Sequence, residues 1–233
     1  MFRFVTLTLC ALLLVACSQD VKDARQLLTQ SLAVPKDVEF RRLDTYPGGV
    51  VCGEYSAYIS HHLPKQEFQP FLTVRGILYA EPSDLEWSVF CSDEPGQRLF
   101  EATGIGPYTA DNRELAKVTA DLISLVQALD SYYRDNFKYP TAEQTLQALV
   151  SATPDNLGRA PRNFREGGYL ERIPNDPWER PYEYQEEQWG RTKGNYVLTT
   201  RGADGSPGGE GADKDISTLY LRYLEHIAIT LAP

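Results

Sequence analysis

The strongest periodic signal in the chain is an apolar stripe in its second half. Apolar side chains recur there at alternating spacings of three and four residues, at Leu115, Val118, Leu122, Leu125, Leu129 and Tyr132. Side chains at these spacings lie on one face of an α-helix. The pattern therefore predicts a long amphipathic helix over residues 113–136, with Asp111 or Asn112 as its N-cap.

Shorter elements are predicted after this helix. Thr141 and Gln144 have the spacing of a capping box, which predicts a second, shorter helix that ends near Val150. An irregular loop rich in Pro, Asn, Arg and Gly follows at residues 153–168. The remaining predicted elements are a hairpin formed by residues 182–186 and 195–200 and a C-terminal helix at residues 219–231.

The first half of the chain has a different pattern, in which short apolar stretches alternate with turn residues. Pro47, Gly48 and Gly49 mark one turn, and Arg75 with Gly76 marks the bend of a hairpin. The predicted elements are a helix at 21–32, a strand at 38–40, a strand at 50–59, a hairpin at 68–79 and a short strand at 86–91. With Gly104, Gly106 and Pro107 as a linker, the chain is predicted to be α+β, with a small mixed segment at residues 17–103 before the domain that carries the long helix.

The first 17 residues indicate a cellular compartment. Arg3 precedes an apolar run at residues 4–16 that is too short to span a bilayer but has the size of a signal-peptide core. The run ends at Leu14-Val15-Ala16-Cys17, which resembles the lipobox of bacterial lipoproteins. The resemblance implies cleavage of residues 1–16, acylation of Cys17 and a membrane anchor, and Ser18 after the cysteine implies the periplasmic face of the outer membrane. The alternative is an ordinary secretion signal that contains a cysteine by chance.

Two cysteines, Cys52 and Cys91, remain after such a cleavage. In an oxidising periplasm a pair of thiols is expected to form one disulfide. This bond would close a loop of about 40 residues and contribute roughly 3–4 kcal/mol. The alternative is two free, buried thiols.

Composition and charge exclude several classes of function. The formal net charge is −9 and 24% of the residues are charged, and an acidic chain without a basic stripe argues against nucleic acid as a partner. The adjacent His61 and His62 are predicted in a solvated loop and His226 on the surface of the last helix, and no nucleophile motif accompanies them. We therefore predict a protein that is not an enzyme and has no small-molecule substrate. The aromatic residues Trp178, Tyr182, Tyr184 and Trp189 are interpreted as core, with a sugar or peptide site as the alternative.

Residues 201–215 form the segment with the clearest chemistry. Five of the ten residues from Gly202 to Gly211 are glycine, and carboxylates punctuate the stretch at Asp204, Glu210, Asp213 and Asp215. Glycine loses much backbone entropy on ordering, and clustered carboxylates repel one another. A calcium ion, which accepts carboxylate and carbonyl oxygens in flexible geometry, would offset both costs. The alternative is a flexible, solvated loop.

The same segment resembles the loop of the major pseudopilin family of type II secretion, general secretion pathway protein G. Other motifs of the family occur in the same order, from residue 113 to residue 217: Asp135-Asn136, Tyr139-Pro140-Thr141, Leu146-Gln147-Ala148-Leu149, Ile173-Pro174, Asp176-Pro177-Trp178 and Pro181-Tyr182. The resemblance implies a pseudopilin-like domain at residues 110–218, with a long helix packed on a small antiparallel sheet, followed by the C-terminal helix at 219–233.

The resemblance also implies a set of calcium ligands. Carried over by position, these are the carboxylates of Asp204, Asp213 and Asp215 and the backbone carbonyls of Arg201 and Ser206, with Glu210 as a further candidate. Family members usually have Leu at the position of Arg201, but a carbonyl ligand does not depend on the side chain.

The sequence departs from the family at its N-terminal side. Pseudopilins open with a run of about 20 apolar residues, and nothing of that kind precedes Arg113. Our first interpretation is therefore an acylated envelope lipoprotein whose calcium-stabilised domain is a structural or interaction module, with partners in a secretion or pilus apparatus. The alternative is a genuine pseudopilus component, and a third reading, an envelope enzyme, lacks a site.

Overall fold

The fold is described from a computed structural model, which covers residues 19–109, 111–187 and 194–231. The predicted signal segment, Cys17 and Trp189 lie outside these described residues. The chain divides into two compact units, the first ending at Ala102 and the second beginning at Thr103. Among the described residues, no helix combines the length and the apolar character that crossing a membrane requires.

The first unit is a four-stranded antiparallel sheet with a helix on one side. Helix α1 includes residues 19–31, and the strands follow in the order β1-β2-β3-β4. Their bounds are Val34–Tyr46 for β1, Val50–Tyr58 for β2, Gln69–Val74 for β3 and Ile77–Tyr79 for β4. Ala24 and Leu28 of α1 join a buried cluster with Val51, Tyr55 and Phe71 of the sheet.

The two turns that the sequence predicts are present in this sheet. Gly48 and Gly49 have φ of 77° and 73° between β1 and β2, and Arg75 and Gly76 have φ of 47° and 79° between β3 and β4. Glycine tolerates these left-handed angles without steric cost. The predicted helix, the two turns and the hairpin of the first half are therefore confirmed.

The predicted strand at residues 86–91 is wrong. Those residues belong to helix α2, Asp84–Phe90. Ser83 and Glu86 form a capping box, in which the Ser83 hydroxyl accepts from the Glu86 amide (3.3 Å) and the Glu86 carboxylate accepts from the Ser83 amide (2.7 Å). This cap stabilises the first helical turn, and a further helix, α3, follows at Pro95–Thr103. Cys91 ends α2 and forms a disulfide with Cys52 of β2, so the predicted disulfide is present.

The second unit is organised by the predicted long helix. Helix α4 spans Arg113–Asn136, and Asn112 is its N-cap, with its side chain accepting a hydrogen bond from the Leu115 amide at 2.9 Å. The predicted stripe is its buried face. The helix ends at Phe137, a non-glycine residue with φ of 58° whose side chain is 79% exposed.

The second sheet has three antiparallel strands in the order β5-β6-β7. Their bounds are Glu183–Glu187, Asn195–Thr200 and Ile216–Ser217. A hydrogen bond of 2.8 Å from the Tyr182 hydroxyl to Asp121 joins the residue before β5 to α4. Tyr182 is 4% exposed, which agrees with its interpretation as core. The α+β prediction with antiparallel sheets is confirmed.

Two elements of the second unit differ from the sequence prediction. The capping box of Thr141 and Gln144 is formed, but it opens a turn that continues as a 3-10 helix, Leu146–Leu149, instead of an α-helix, because Thr145 has φ of 52°. The C-terminal helix begins with a 3-10 turn and continues as α5, Leu221–Leu231. Its His226 is 1% exposed, so the prediction of a surface histidine is wrong: the residue lies on the packed face beside Tyr223 and Ile227.

Candidate functional site

The glycine-rich loop, residues 201–215, connects β6 to β7. The two strands pair directly, with Thr200 opposite Ile216, so the two ends of the loop start side by side. Two backbone hydrogen bonds cross the loop, from the Ala203 amide to the Ala212 carbonyl (2.7 Å) and from the Asp215 amide to the Gly208 carbonyl (2.9 Å). The segment is therefore an ordered, internally bonded loop in this structure.

Two glycines permit the close approach that closes the loop. Gly202 has φ of 63° and Gly209 has φ of 73°, and both lie against the backbone of Asp213. A Cβ on Gly209 would lie 2.2 Å from the Asp213 carbonyl oxygen, and a Cβ on Gly202 would lie 2.5 Å from its carbonyl carbon. Both positions thus need glycine for two reasons, the left-handed backbone and the absence of a side chain.

The segment predicted as a linker also contributes to the loop. Ile105 forms a parallel bridge with Gly211, and the Gly211 amide donates to the Gly104 carbonyl at 2.9 Å. Gly104 leaves room for Glu210, whose Cγ would lie 3.3 Å from a Cβ there. Glu210, the further candidate ligand, therefore packs against this segment.

The three principal carboxylates of the predicted calcium site differ in environment. Asp204 and Asp213 are exposed, and an oxygen of Asp204 accepts from the Ser206 amide at 2.9 Å. Asp215 is half-buried, and its Oδ2 accepts from the Gly208 amide at 3.0 Å. Its Oδ1 is buried and accepts no hydrogen bond from the residues that the structure describes. Within the described part of the chain, no three His, Cys, Asp or Glu side chains converge as a metal cluster.

Arg201 pairs with one of these carboxylates, that of Asp215. Its Nη1 donates to Asp215 Oδ2 at 2.7 Å, while its Nη2 and Nε donate to the Glu183 carboxylate at 2.6 Å and 3.0 Å. Hydrogen bonding to Glu183, followed by that to Asp215, raises the pKa of the Arg201 guanidinium. The sequence prediction used only the backbone carbonyl of Arg201, whereas its side chain joins the loop to β5.

A second arginine, Arg180, also contacts the loop. The Arg180 guanidinium donates to the Gly202 carbonyl, and its Nη1 would lie 2.8 Å from a Cβ on Gly205. Arg180 is placed by Asp176, a carboxylate only 1% exposed, which accepts from the amides of Trp178 and Arg180 and from the Thr200 hydroxyl. The aspartate thus ties this turn to the end of β6, where the loop begins.

Sequence reasoning missed Arg180, Asp176 and Glu183 as parts of the site. A signal for the turn that holds the first two was available, because Asp176 is followed by Pro177, and an Asp-Pro pair favours the start of a turn. Glu183 had no signal, because it meets Arg201 only through the pairing of β5 with β6.

The residue types of the loop are those that a hard cation such as calcium prefers, although the structure, over the residues it describes, does not bring three of its carboxylates together. The side-chain ligands of the loop are carboxylates, and Asp215 Oδ1 is a buried oxygen that accepts no hydrogen bond from the described residues. No cysteine or histidine lies in the loop, so zinc is not favoured. The ion pair with Arg201 occupies the other oxygen of Asp215, so any metal there shares this carboxylate with a guanidinium.

Comparison with known proteins shows which protein family the second unit matches. Residues 108–219 match the family described as type II secretion system (T2SS), protein G. The type II secretion system core protein G of Vibrio cholerae is 44% identical over 124 residues, which cover 52% of this chain and 81% of that protein. The chain belongs to the type II secretion system protein G family.

Further relatives agree with this membership. The core protein G of Pseudomonas aeruginosa is 41% identical over 113 residues, which cover 47% of this chain and 76% of that protein. The crystal structure of the major pseudopilin from the type 2 secretion system of enterohaemorrhagic Escherichia coli is 40% identical, covers 46% of this chain and 88% of that chain, and superposes with a TM-score of 0.37. The family match and the identities of these relatives confirm the resemblance that the sequence motifs indicate.

Membership of the protein G family also bears on function. The family consists of structural pseudopilins of a cell-envelope secretion system, so the chain is not an enzyme, as predicted. Our first interpretation, a displayed module with no settled link to secretion, is less well supported than its alternative, a component of type II secretion. The disulfide between Cys52 and Cys91 lies in the first unit, outside the matched residues.

Proposed function

We propose that this chain is a structural, pseudopilin-type component of the type II secretion apparatus and that calcium stabilises its glycine-rich loop. The support for the first part is the match of residues 108–219 to the protein G family, whose relatives align over most of their own length. The loop of interest lies within the matched segment. The partners expected from this role are proteins of the secretion machinery.

The observation that carries the calcium part is Asp215 Oδ1. A buried carboxylate oxygen without a donor costs free energy that a bound cation would offset. Asp215 is the proposed principal ligand, with Asp204, Asp213, the carbonyls of Arg201 and Ser206, and Glu210 as the further candidates. A bound calcium ion would supply positive charge to the loop, while Gly202 and Gly209 keep the Asp213 peptide in place.

The anchor remains a separate part of the proposal. Acylation of Cys17 would hold the chain at the periplasmic face of the outer membrane, with both units in the periplasm. Metabolic labelling with a fatty acid, compared between the wild type and Cys17→Ala, tests it. Label that persists in the variant would refute acylation at this residue.

A secretion assay tests the main role. Deleting the gene in its native host should reduce export of type II substrates, and the wild-type chain should restore it. A variant with Gly209→Ala, which obstructs the loop, should restore export poorly, whereas Gly158→Ala, at the same φ of 73° but with open space around it, should restore it well. Normal export in the deletion strain would refute the role.

Calorimetry tests the metal. The melting temperature of the second unit should be higher in calcium than in EDTA, and Asp215→Asn should abolish most of that difference. Asp135→Asn is the matched control, because it breaks an ion pair with Arg165 outside the loop. If calcium leaves the melting temperature of the wild type unchanged, the metal part of the proposal is wrong.

A further inference from the structure

The contacts of the Arg201 side chain suggest a role for it in the loop that membership of the family does not by itself imply. Its guanidinium bridges two carboxylates, Glu183 on β5 and Asp215 at the end of the loop. Because Glu183 lies on a paired strand, this bridge fixes the end of the loop to the sheet. The arginine side chain is about one-third exposed, and that of Asp215 is 23% exposed.

Arg201 donates to the same oxygen, Asp215 Oδ2, that holds the loop backbone at Gly208. Asp215 Oδ2 accepts from Arg201 and from the Gly208 amide, while the Asp215 amide donates to the Gly208 carbonyl. Gly208 and Asp215 are thus joined by reciprocal hydrogen bonds, and the guanidinium neutralises the carboxylate in that arrangement. The two bonds to Asp215 Oδ2 have a charged acceptor, and one of them also has a charged donor, so both are stronger than neutral hydrogen bonds.

We infer that Arg201 is a built-in counter-ion that orders the glycine-rich loop without metal and opposes calcium binding there. A positive charge 2.7 Å from Asp215 Oδ2 removes much of the carboxylate repulsion that would otherwise disorder the loop. The same charge repels a divalent ion that binds the other oxygen of this carboxylate. The inference about calcium rests on the proposed calcium site, whereas the inference about the metal-free loop does not.

The test compares Arg201→Met with Arg165→Met. Arg165 also pairs with an aspartate in the second unit, at 3.1 Å, but outside the loop. In EDTA, Arg201→Met should lower the melting temperature by roughly 2–4 °C more than the control does. The Gly208 and Asp215 amides should exchange with deuterium about tenfold faster, as expected for a local loss of roughly 1.4 kcal/mol.

Calcium supplies the second arm of the experiment. The rise in melting temperature on adding calcium should be larger in Arg201→Met than in the wild type, because the metal then replaces the missing cation. Arg201→Lys keeps the positive charge but loses the forked set of donors. Its rise in melting temperature on adding calcium should lie between those of the wild type and Arg201→Met.

Each outcome decides one claim. If Arg201→Met behaves like Arg165→Met in EDTA, in both melting and amide exchange, the counter-ion role is refuted. If the EDTA effect is present but the calcium response does not increase, the opposition to calcium is refuted. If calcium affects neither the wild type nor any variant, the proposed calcium site fails, and the EDTA arm still judges Arg201.

Discussion

The close approach of Gly209 to Asp213 gives the sharpest prediction for the loop. Replacing Gly209 with alanine places a Cβ 2.2 Å from the Asp213 carbonyl oxygen and 2.6 Å from its carbonyl carbon. Both are backbone atoms, so no side-chain rotation can relieve the overlap. The Asp213 peptide has to move, and with it the hydrogen bonds from Asp213 to Glu210 and from Ala203 to Ala212.

The magnitude has two parts that a control can separate. Holding alanine at φ of 73° costs roughly 1–2 kcal/mol because its Cβ crowds the adjacent carbonyl. The overlap with Asp213 adds about 1–3 kcal/mol, the usual cost of overpacking. We therefore expect Gly209→Ala to lower the free energy of unfolding of the second unit by about 2–5 kcal/mol.

Gly158→Ala is the control for the backbone part. Gly158 also has φ of 73°, lies in the same unit, and has nothing within 4 Å of its would-be Cβ. It should cost only the roughly 1–2 kcal/mol of the left-handed backbone. Urea unfolding followed by circular dichroism, in EDTA, compares the two variants with the wild type. Equal losses of stability in the two variants would refute the close approach.

Three further predictions concern other parts of the chain. Phe137→Gly should stabilise the second unit by about 1 kcal/mol, because the residue ends α4 at φ of 58° with its ring exposed, and a loss of stability in thermal melting would contradict this. Burial, followed by the charge of Asp130, raises the pKa of Tyr139 to about 12, against about 10 in the unfolded chain. The contribution of the neutral phenol to stability is therefore complete below pH 10 and is lost as the pH rises through 12. In alkaline unfolding, the wild type should lose stability more steeply with pH than Tyr139→Phe does. Replacing both Cys52 and Cys91 with serine should lower the free energy of unfolding of the first unit by about 3–4 kcal/mol and leave that of the second unit unchanged. Differential scanning calorimetry measures both transitions, and a lower melting temperature of the second unit would contradict this prediction.

Long periodic elements were predictable because many residues report the same structure. The apolar stripe from Leu115 to Tyr132 extends over several helical turns, and the helix has the predicted bounds. The segment at residues 86–91 is too short for periodicity to separate strand from helix. There the capping box of Ser83 and Glu86 starts the helix, and this signal begins at Ser83, before the segment that suggested a strand.

His226 shows a second limit of the sequence. Its position among Tyr223, Leu224 and Ile227 is part of the helical face that packs, yet a histidine is polar enough to suggest the surface. Burial of such a residue depends on what covers the helix, and that is a property of the tertiary structure. The spacing of apolar neighbours was the better guide than the residue type.

The loop shows why an acidic, glycine-rich pattern does not by itself establish dependence on a metal. The sequence reveals the carboxylates, since they are neighbours along the chain, but the cations that face them come from elsewhere in the fold. Arg180 lies 22 residues before the carbonyl it supports, and Glu183, which places Arg201, lies on another strand. A loop of this composition can therefore be ordered by its own arginines, by calcium, or by both, and the ion pair between Arg201 and Asp215 makes these alternatives compete for one carboxylate. Among proteins with this loop, calcium dependence should accordingly be weaker where a guanidinium reaches the carboxylate than where an apolar side chain takes its place.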